Sequence, residues 1–316
     1  MTAPTTRFTG RGGRADKAFH NATIVAGLVV LVILGAIAFT TVRRAWPAFD
    51  LMGFRFITSS RWDPNSNEFG AKAFIYGSLV ASTIALLLAV PVSIGIALFT
   101  TQVVPARWRR PIVYLVDLLA VVPSVVFGLW GILVFAKHVG GFYNFLHSAL
   151  GPIPVIGDLF GSAHGRSYMT AGIILAIMIT PIITSLAREV IDTCPPSDRE
   201  GAFALGATRW EMIRGTVLPH SKGGLVGAVM LGLGRAIGET IAVALVIGSA
   251  NNISANLFAS GDALPARIAN EWGEAEGNWR AALIGLAVTL FAITIAVNLL
   301  AAFVVNRSVA KSQGTR

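Results

Sequence analysis

The chain has 316 residues, of which 54% are hydrophobic and 13% are charged, and its mean hydropathy is +0.68. These proportions exclude an ordinary soluble domain and predict an all-α protein that crosses a membrane several times. The formal net charge of +9 raises the question of a nucleic-acid partner. Because the Lys and Arg residues fall in the connections between apolar segments, we expect no such partner.

Six apolar segments are long enough to cross a hydrocarbon layer about 30 Å thick, for which roughly 20 helical residues suffice. Five of them contain no charged residue and cover 22–42, 73–106, 118–136, 167–187 and 281–306. The remaining segment, which is the fifth in chain order, covers 223–249 and is interrupted by Arg235 and Glu239. The sequence therefore predicts a polytopic membrane protein built as one bundle of six transmembrane helices.

An even number of spans places both termini on the same side of the membrane. That side carries fifteen Lys and Arg residues outside the spans, and the opposite side carries nine. The excess of positive charge predicts that both termini are cytoplasmic. Residues 1–21 are expected to form a flexible cytoplasmic tail, and residues 307–316 a second one.

Three outer segments are expected between the spans. Residues 22–72 hold the first helix and a first outer loop that is long enough to meet a soluble partner. Residues 138–166 are predicted to form a second outer loop with a short interfacial or re-entrant helix, because Gly and Pro are frequent there. Residues 250–279 are rich in Asp and Glu, which predicts a solvated face or a docking surface for a binding protein.

Prolines lie inside three predicted spans: Pro91 in 73–101, Pro123 in 112–136 and Pro181 in 168–190. A proline bends a transmembrane helix and leaves a carbonyl group unpaired, which is tolerated where protein or a water-filled path surrounds the bend. For each proline taken alone, packing around a bend is the simpler interpretation. The Thr180 hydroxyl, next to Pro181, is a candidate to face a polar path.

The fifth span contains the charged pair Arg235 and Glu239, four residues apart, which predicts that they share one helix face and can pair. Charge at this depth costs about 2.5–3.5 kcal/mol on insertion scales, so it faces a partner or a polar path. One interpretation is that Arg235 attracts a permeating anion while Glu239 limits how tightly the anion is held. The other is a salt bridge that only positions helices. Nearby Gly232, Gly234 and Gly238 let another helix approach.

Residues 197–219 form a polar island between two apolar spans. Ser197 and Glu200 have the spacing of a capping box, and the prolines just before them stop the upstream helix, so a short helix is predicted to begin here. Gly206 is expected to turn the chain into a second short helix, which Leu218 and Pro219 end. An interfacial helix without any partner is the alternative.

The order Glu200-Gly201-Ala202, three residues, then Gly206 resembles the EAA loop of ABC-importer permeases. That resemblance implies a permease core at 73–306 whose coupling loop, 191–222, docks on an ATPase through these four residues. Gly201 stands where Ala is usual, and Thr216 where a branched apolar residue is usual.

The runs GRAIGET, PSVVFGLWG and FGAKAFIYGSL resemble the PstC family of phosphate-uptake permeases. The family likeness implies that Arg235 and Glu239 lie on the phosphate path, and we expect the hydroxyls of Thr180 and Thr240 beside it. It also implies a bacterial plasma membrane, a PstA-like permease as heterodimer partner, a PstS-like extracytoplasmic phosphate-binding protein, and two PstB-like ATPases that hold ATP and magnesium.

The chain itself is not expected to be an enzyme or to hold a cofactor. None of its five lysines lies in a Walker A sequence, its five histidines lack metal-ligand spacing, and its single cysteine, Cys194, excludes an internal disulfide. Sulfate or molybdate remains an alternative to phosphate, since an Arg selects charge more readily than one oxyanion. A gradient-driven transporter with Glu239 as ion carrier is a further alternative, which leaves the EAA-like loop unexplained.

Overall fold

The computed structural model describes residues 14–153, 156–162 and 164–313. The regular elements of the described chain are helices apart from one small antiparallel hairpin, β1 (Trp62–Asp63) and β2 (Glu68–Phe69), which confirms the all-α class. The outermost parts of both predicted tails, 1–13 and 314–316, lie outside the described residues. Residues 14–21, predicted to belong to the flexible tail, are helical, because the first helix already begins at Arg14.

Helices in the first half are α1 (Arg14–Met52), α2 (Arg55–Thr58), α3 (Lys72–Leu98), α4 (Ala106–Val121), α5 (Ser124–Trp130), α6 (Ala136–Leu150) and α7 (Ile156–Leu159). Those in the second half are α8 (Tyr168–Asp192), α9 (Pro196–Ala204), α10 (Arg209–Met212), α11 (Leu218–Gly238), α12 (Ile241–Val246), α13 (Leu264–Glu271) and α14 (Gly277–Gln313). π-helical turns extend α3 to Val103, join α5 to α6, and join α10 to α11.

Among the residues that the structure describes, five helices are long and apolar enough to cross a membrane: Asp16–Met52, Lys72–Val103, Ser124–Leu150, Tyr168–Asp192 and Gly277–Leu300. The predicted spans at 73–101 and 168–190 agree closely with two of them. The fifth predicted span, 223–249, is not one continuous helix, because α11 ends at Gly238 and α12 begins at Ile241. Six crossings and cytoplasmic termini therefore stay predictions.

The third predicted span is divided at Pro123. Val122 has an extended backbone (ψ 126°), as is usual before proline, so α4 ends there and α5 starts afresh. Arg109 of α4 forms an ion pair with Asp192 at the end of α8, and Gly131 packs against Ile174 near its start. The two helices thus follow α8 over most of its length. Within the second outer loop predicted at 138–166, residues as far as Leu150 belong to the helix α6, and whether that helix is interfacial or re-entrant stays a prediction.

The α8 helix lies at the centre of the bundle and packs against α3, α4, α11 and α12. Its contact with α3 is close, since a Cβ atom at Gly172 would lie 2.4 Å from Ile84 Cγ2. By contrast, α1 is exposed along most of its length and meets α14 through the buried Ala45 and Ala48. An apolar helix that is exposed in this way is suited to a lipid environment.

An ionic cluster joins the first and last outer segments. Glu271 Oε2 accepts hydrogen bonds of 2.9 Å from the indole N–H groups of Trp62 and Trp279. Arg267 lies between two carboxylates, 2.5 Å from Glu271 Oε1 and 2.8 Å from Asp262 Oδ2. Burial raises the pKa of Asp262 to about 6, and the adjacent Arg267 opposes that rise. The prediction that the acidic residues of 250–279 are solvated was therefore wrong for Asp262 and Glu271, although Glu274 and Glu276 are exposed.

Replacing Glu271 by Ala is expected to lower the free energy of unfolding by about 3 kcal/mol, because it leaves Arg267 and two indole N–H groups without their shared acceptor. Thermal unfolding of the detergent-solubilised protein measures this loss. Glu274→Ala removes an exposed carboxylate from the same loop and is expected to change stability by less than about 0.5 kcal/mol. Equal unfolding temperatures for the two variants contradict the structural role of the cluster.

Candidate functional site

Residues 191–222, which we call the coupling segment, contain the predicted pair of short helices. The helix α9 begins at Pro196 with Pro195 as its N-cap, so Ser197 lies inside its first turn. The predicted capping box of Ser197 and Glu200 was wrong: Pro196 starts the helix one residue earlier, and Ser197 Oγ donates instead to Asp198, at 3.4 Å.

The capping box of this segment belongs to α10. Thr208 Oγ1 accepts a hydrogen bond from the Glu211 N–H at 3.3 Å, and Glu211 Oε2 accepts one from the Thr208 N–H at 2.8 Å. These hydrogen bonds from Thr208 hold the pKa of Glu211 below its usual range. Between the two helices Gly206 has φ +83°, which confirms the predicted turn.

The predicted end of the second short helix at Leu218 and Pro219 was wrong. The chain passes through a π-helical turn, Ile213–Val217, in which the Leu218 N–H donates to the Ile213 carbonyl, and continues as α11. Pro219 lies in the first turn of α11, where its missing N–H is tolerated. The short helices are therefore connected rigidly to the fifth predicted span.

One face of the coupling segment is anchored in the bundle. Met212, Ile213 and Val217 are buried with Ile191 and the free thiol of Cys194. Arg199 donates a hydrogen bond of 3.0 Å to the Ile191 carbonyl. The remaining face is therefore held in a defined orientation relative to α8.

The opposite face is exposed and contains three of the four residues predicted to couple, Glu200, Gly201 and Gly206. Ala202 is partly buried and packs against the anchored cluster instead. Sequence reasoning missed three apolar neighbours: Phe203, Leu205 and Trp210 are 46%, 91% and 63% exposed. The available signal was the presence of large apolar residues within a polar island. Helices of only nine and four residues cannot bury such side chains, so their exposure could have been expected. An exposed group of this kind is typical of a protein–protein contact.

The second region is the break between α11 and α12. Glu239 has an extended backbone (φ −69°, ψ 128°), so it does not continue the helix that carries Arg235. The spacing allowed the two residues to pair without requiring it; the helix ends between them at Gly238, and no ion pair joins them in the described chain. Arg235 is exposed in the last turn of α11, where a cation offsets the partial negative charge of the helix end. Glu239 is only 9% exposed.

The two threonines are placed differently. Thr240 lies in the break itself, and its hydroxyl donates to the Gly238 carbonyl at 3.3 Å. The Thr180 hydroxyl donates to the Ala176 carbonyl at 2.7 Å and lines an apolar groove between α3, α4 and α8. Neither Arg235 nor Glu239 lines that groove.

The glycines of α11 face two ways. Gly232 allows close packing, since a Cβ atom there would lie 2.6 Å from Ile183. Gly227, Gly234 and Gly238 face open space in the described chain. These open glycines lie on the same side of α11 as Arg235, at roughly 100° per residue.

Residues 89–310 match the family described as the binding-protein-dependent transport system inner membrane component. The chain is 42% identical over 302 residues to the phosphate transport system permease protein PstC of Mesorhizobium japonicum, covering 92% of this chain and 90% of that protein. It is 39% identical over 297 residues to the protein of the same name from Haemophilus influenzae, covering 92% and 93%.

Solved structures show the same fold at low sequence identity. A bacterial ABC transporter involved in the import of the acidic polysaccharide alginate matches with a TM-score of 0.61 at 17% identity, covering 93% of this chain and 99% of that one. The methionine ABC transporter MetNI in an inward-facing conformation matches with a TM-score of 0.53 at 16% identity, covering 87% and 98%.

Replacing Gly206 by Ala is expected to destabilise the turn between α9 and α10 by about 1–2 kcal/mol, because a Cβ atom disfavours positive φ. Hydrogen exchange of residues 197–212 in the purified protein measures the loosening. Gly201→Ala is the matched control: it lies within α9 with open space around it and is expected to be neutral or slightly stabilising. Equal exchange in the two variants contradicts the role of the Gly206 turn.

Proposed function

The chain belongs to the binding-protein-dependent transport permeases and, within them, to the PstC family, and on that basis we propose that it forms half of the transmembrane path of an ATP-driven phosphate importer. It is a multi-pass protein of the plasma membrane. The observation that carries the phosphate proposal is Arg235, an exposed cation beside the helix break in the predicted span 223–249.

A guanidinium group at this place is chemically suited to an oxyanion. It stays charged, and its planar set of N–H donors matches two phosphate oxygens at once. The break at Glu239 also interrupts the backbone hydrogen bonding of the helix. Such interruptions occur in membranes where the chain borders protein or a polar cavity, and discontinuous helices often surround the substrate site of transporters.

Glu239 is proposed to moderate the binding of the anion. A carboxylate close to the path repels an anion and so reduces the affinity that Arg235 provides, which favours release. Thr240, in the same break, offers a hydroxyl that can donate to an oxyanion in place of the Gly238 carbonyl. The place of Thr180 beside the phosphate path stays a prediction, because its hydroxyl is already hydrogen-bonded within α8.

The exposed face of the coupling segment is proposed to dock on an ATPase subunit. Glu200 and the apolar side chains of Phe203, Leu205 and Trp210 form a surface with both charge and apolar area. The complete importer then contains a second, PstA-like permease, two ATPases that bind ATP and magnesium, and an extracytoplasmic phosphate-binding protein. The family supports an ATP-driven mechanism over a gradient-driven one.

Replacing Arg235 by Gln is expected to reduce uptake of radiolabelled phosphate at least tenfold, equivalent to about 1.4 kcal/mol, because the neutral amide cannot attract the anion. Uptake is measured in proteoliposomes that contain the assembled complex with its binding protein. Arg166→Gln removes an exposed outer-side charge and is expected to leave uptake unchanged. Normal uptake by an assembled Arg235→Gln complex contradicts the phosphate path. Sulfate and molybdate as competitors test the alternative oxyanions.

Replacing Leu205 by Asp is expected to weaken association with the ATPase about 30-fold or more, because it places a charge in an apolar contact. Co-purification of the ATPase with the tagged permease measures the association. Leu159→Asp introduces the same charge at an exposed leucine of the outer helix α7 and is expected to leave the association intact. Undiminished ATPase binding by the Leu205 variant places the contact elsewhere.

A further inference from the structure

A groove with a volume of about 580 Å³ lies between α3 and α11 and has no role in the proposed transport path. Seven of the residues that line it are apolar: Val90, Ile94, Leu218, Pro219, Leu225, Val226 and Val229. The other two are Arg214 and Lys222, so the lining contains no acidic residue.

The two cations mark the end of the groove that faces the coupling segment. Arg214 lies in the π-helical turn before α11, and Lys222 lies near the start of α11. Val229 is seven residues further along the helix, about 10 Å deeper at 1.5 Å per residue. The groove therefore extends from the predicted cytoplasmic surface into the hydrocarbon layer.

Both cations are exposed, and neither forms an ion pair with any residue that the structure describes. Glu211, the nearest acidic residue in sequence, is instead bonded to Thr208. Two cations above an apolar groove complement an amphiphile whose head group is an anion.

The groove and Arg235 lie on different faces of α11. At roughly 100° per residue, Lys222, Val226 and Val229 fall within one third of the helix circumference. Arg235 and Gly227 fall outside that third, roughly 130–150° from its centre. An anion that passes Arg235 is therefore not expected to enter the groove.

We propose that an anionic phospholipid of the cytoplasmic leaflet occupies this groove. Its phosphate lies between Arg214 and Lys222, which supply charge-assisted hydrogen bonds, and an acyl chain lies against Val90, Ile94 and Val226. The bound lipid ties the coupling segment to the membrane surface, since Arg214 directly follows α10. This site does not depend on which anion the protein transports.

The test uses the assembled complex in two kinds of nanodisc. One contains phosphatidylcholine alone, and the other contains phosphatidylcholine with about 20% phosphatidylglycerol. Lipid that stays bound after transfer to detergent is identified by native mass spectrometry. The native chain is expected to retain phosphatidylglycerol and phosphatidylcholine in a ratio at least tenfold higher than their ratio in the bulk bilayer. The double variant Arg214→Gln with Lys222→Gln is expected to lose this enrichment. It is also expected to lose the protection from hydrogen exchange that the bound lipid gives to residues 209–217 of the native chain.

Two further variants separate a built site from general attraction. Arg107→Gln with Arg110→Gln removes two exposed cations from the same predicted side, away from the groove, and is expected to retain the lipid. Val226→Trp fills the groove without changing its charge and is expected to lose the lipid. It also tests the proposal on its own if the double variant fails to assemble.

Three results overturn the assignment. Enrichment that survives in the double variant or in Val226→Trp shows that the groove does not hold the lipid. Equal loss in the Arg107 and Arg110 control shows attraction by surface charge alone. Binding of inorganic phosphate in neutral nanodiscs that disappears only in the double variant assigns the two cations to free phosphate instead.

Discussion

The packing of α8 against α3 is the contact on which the rest of the bundle depends. Gly172 brings the two helices together at Ile84, and Ser93 of α3 donates a hydrogen bond of 3.1 Å to the Thr180 carbonyl of α8. Both ends of α8 then position functional segments. The Tyr168 hydroxyl donates to the Asn252 carbonyl at the end predicted to face outward, and the Ile191 carbonyl accepts from Arg199 of the coupling segment at the other end.

The continuity of α11 connects the two regions that the proposed function requires. The helix starts at the π-helical turn of the coupling segment and ends beside the break at Glu239. It contacts α8 throughout, with Gly224 against Val190 and Gly232 against Ile183. The helix α11 is therefore a rigid element that can transmit a displacement of the coupling segment to Arg235. The bulged turn and the break are the two places where this element departs from α-helical geometry, and such departures are frequent at functional sites.

Much of the fold could be predicted from local patterns. Continuous apolar runs located α3 and α8, and Gly206 located the turn in the coupling segment, because each signal acts within a few neighbouring residues. The order of Glu200, Gly201, Ala202 and Gly206 also identified the family. Local patterns were less reliable where two competed: the prolines before Ser197 decided the start of α9 against a capping-box spacing, and the apolar run at 138–150 continued a helix despite its glycines.

The sequence by itself determined that this protein crosses a membrane as several helices, because long apolar runs must satisfy their backbone polar groups internally in a membrane. Its resemblance to permeases came from the EAA-like loop and the run around Arg235. Only the tertiary structure decided how its charges are used. Arg235 and Glu239 have the spacing of a helical pair, yet the chain leaves the helix between them. Asp262 and Glu271 look like solvated acids, yet they are enclosed with Arg267, and Glu271 accepts hydrogen bonds from the nearby Trp279 and the distant Trp62. Burial here depends on a contact with a segment 209 residues away, so local spacing cannot specify it.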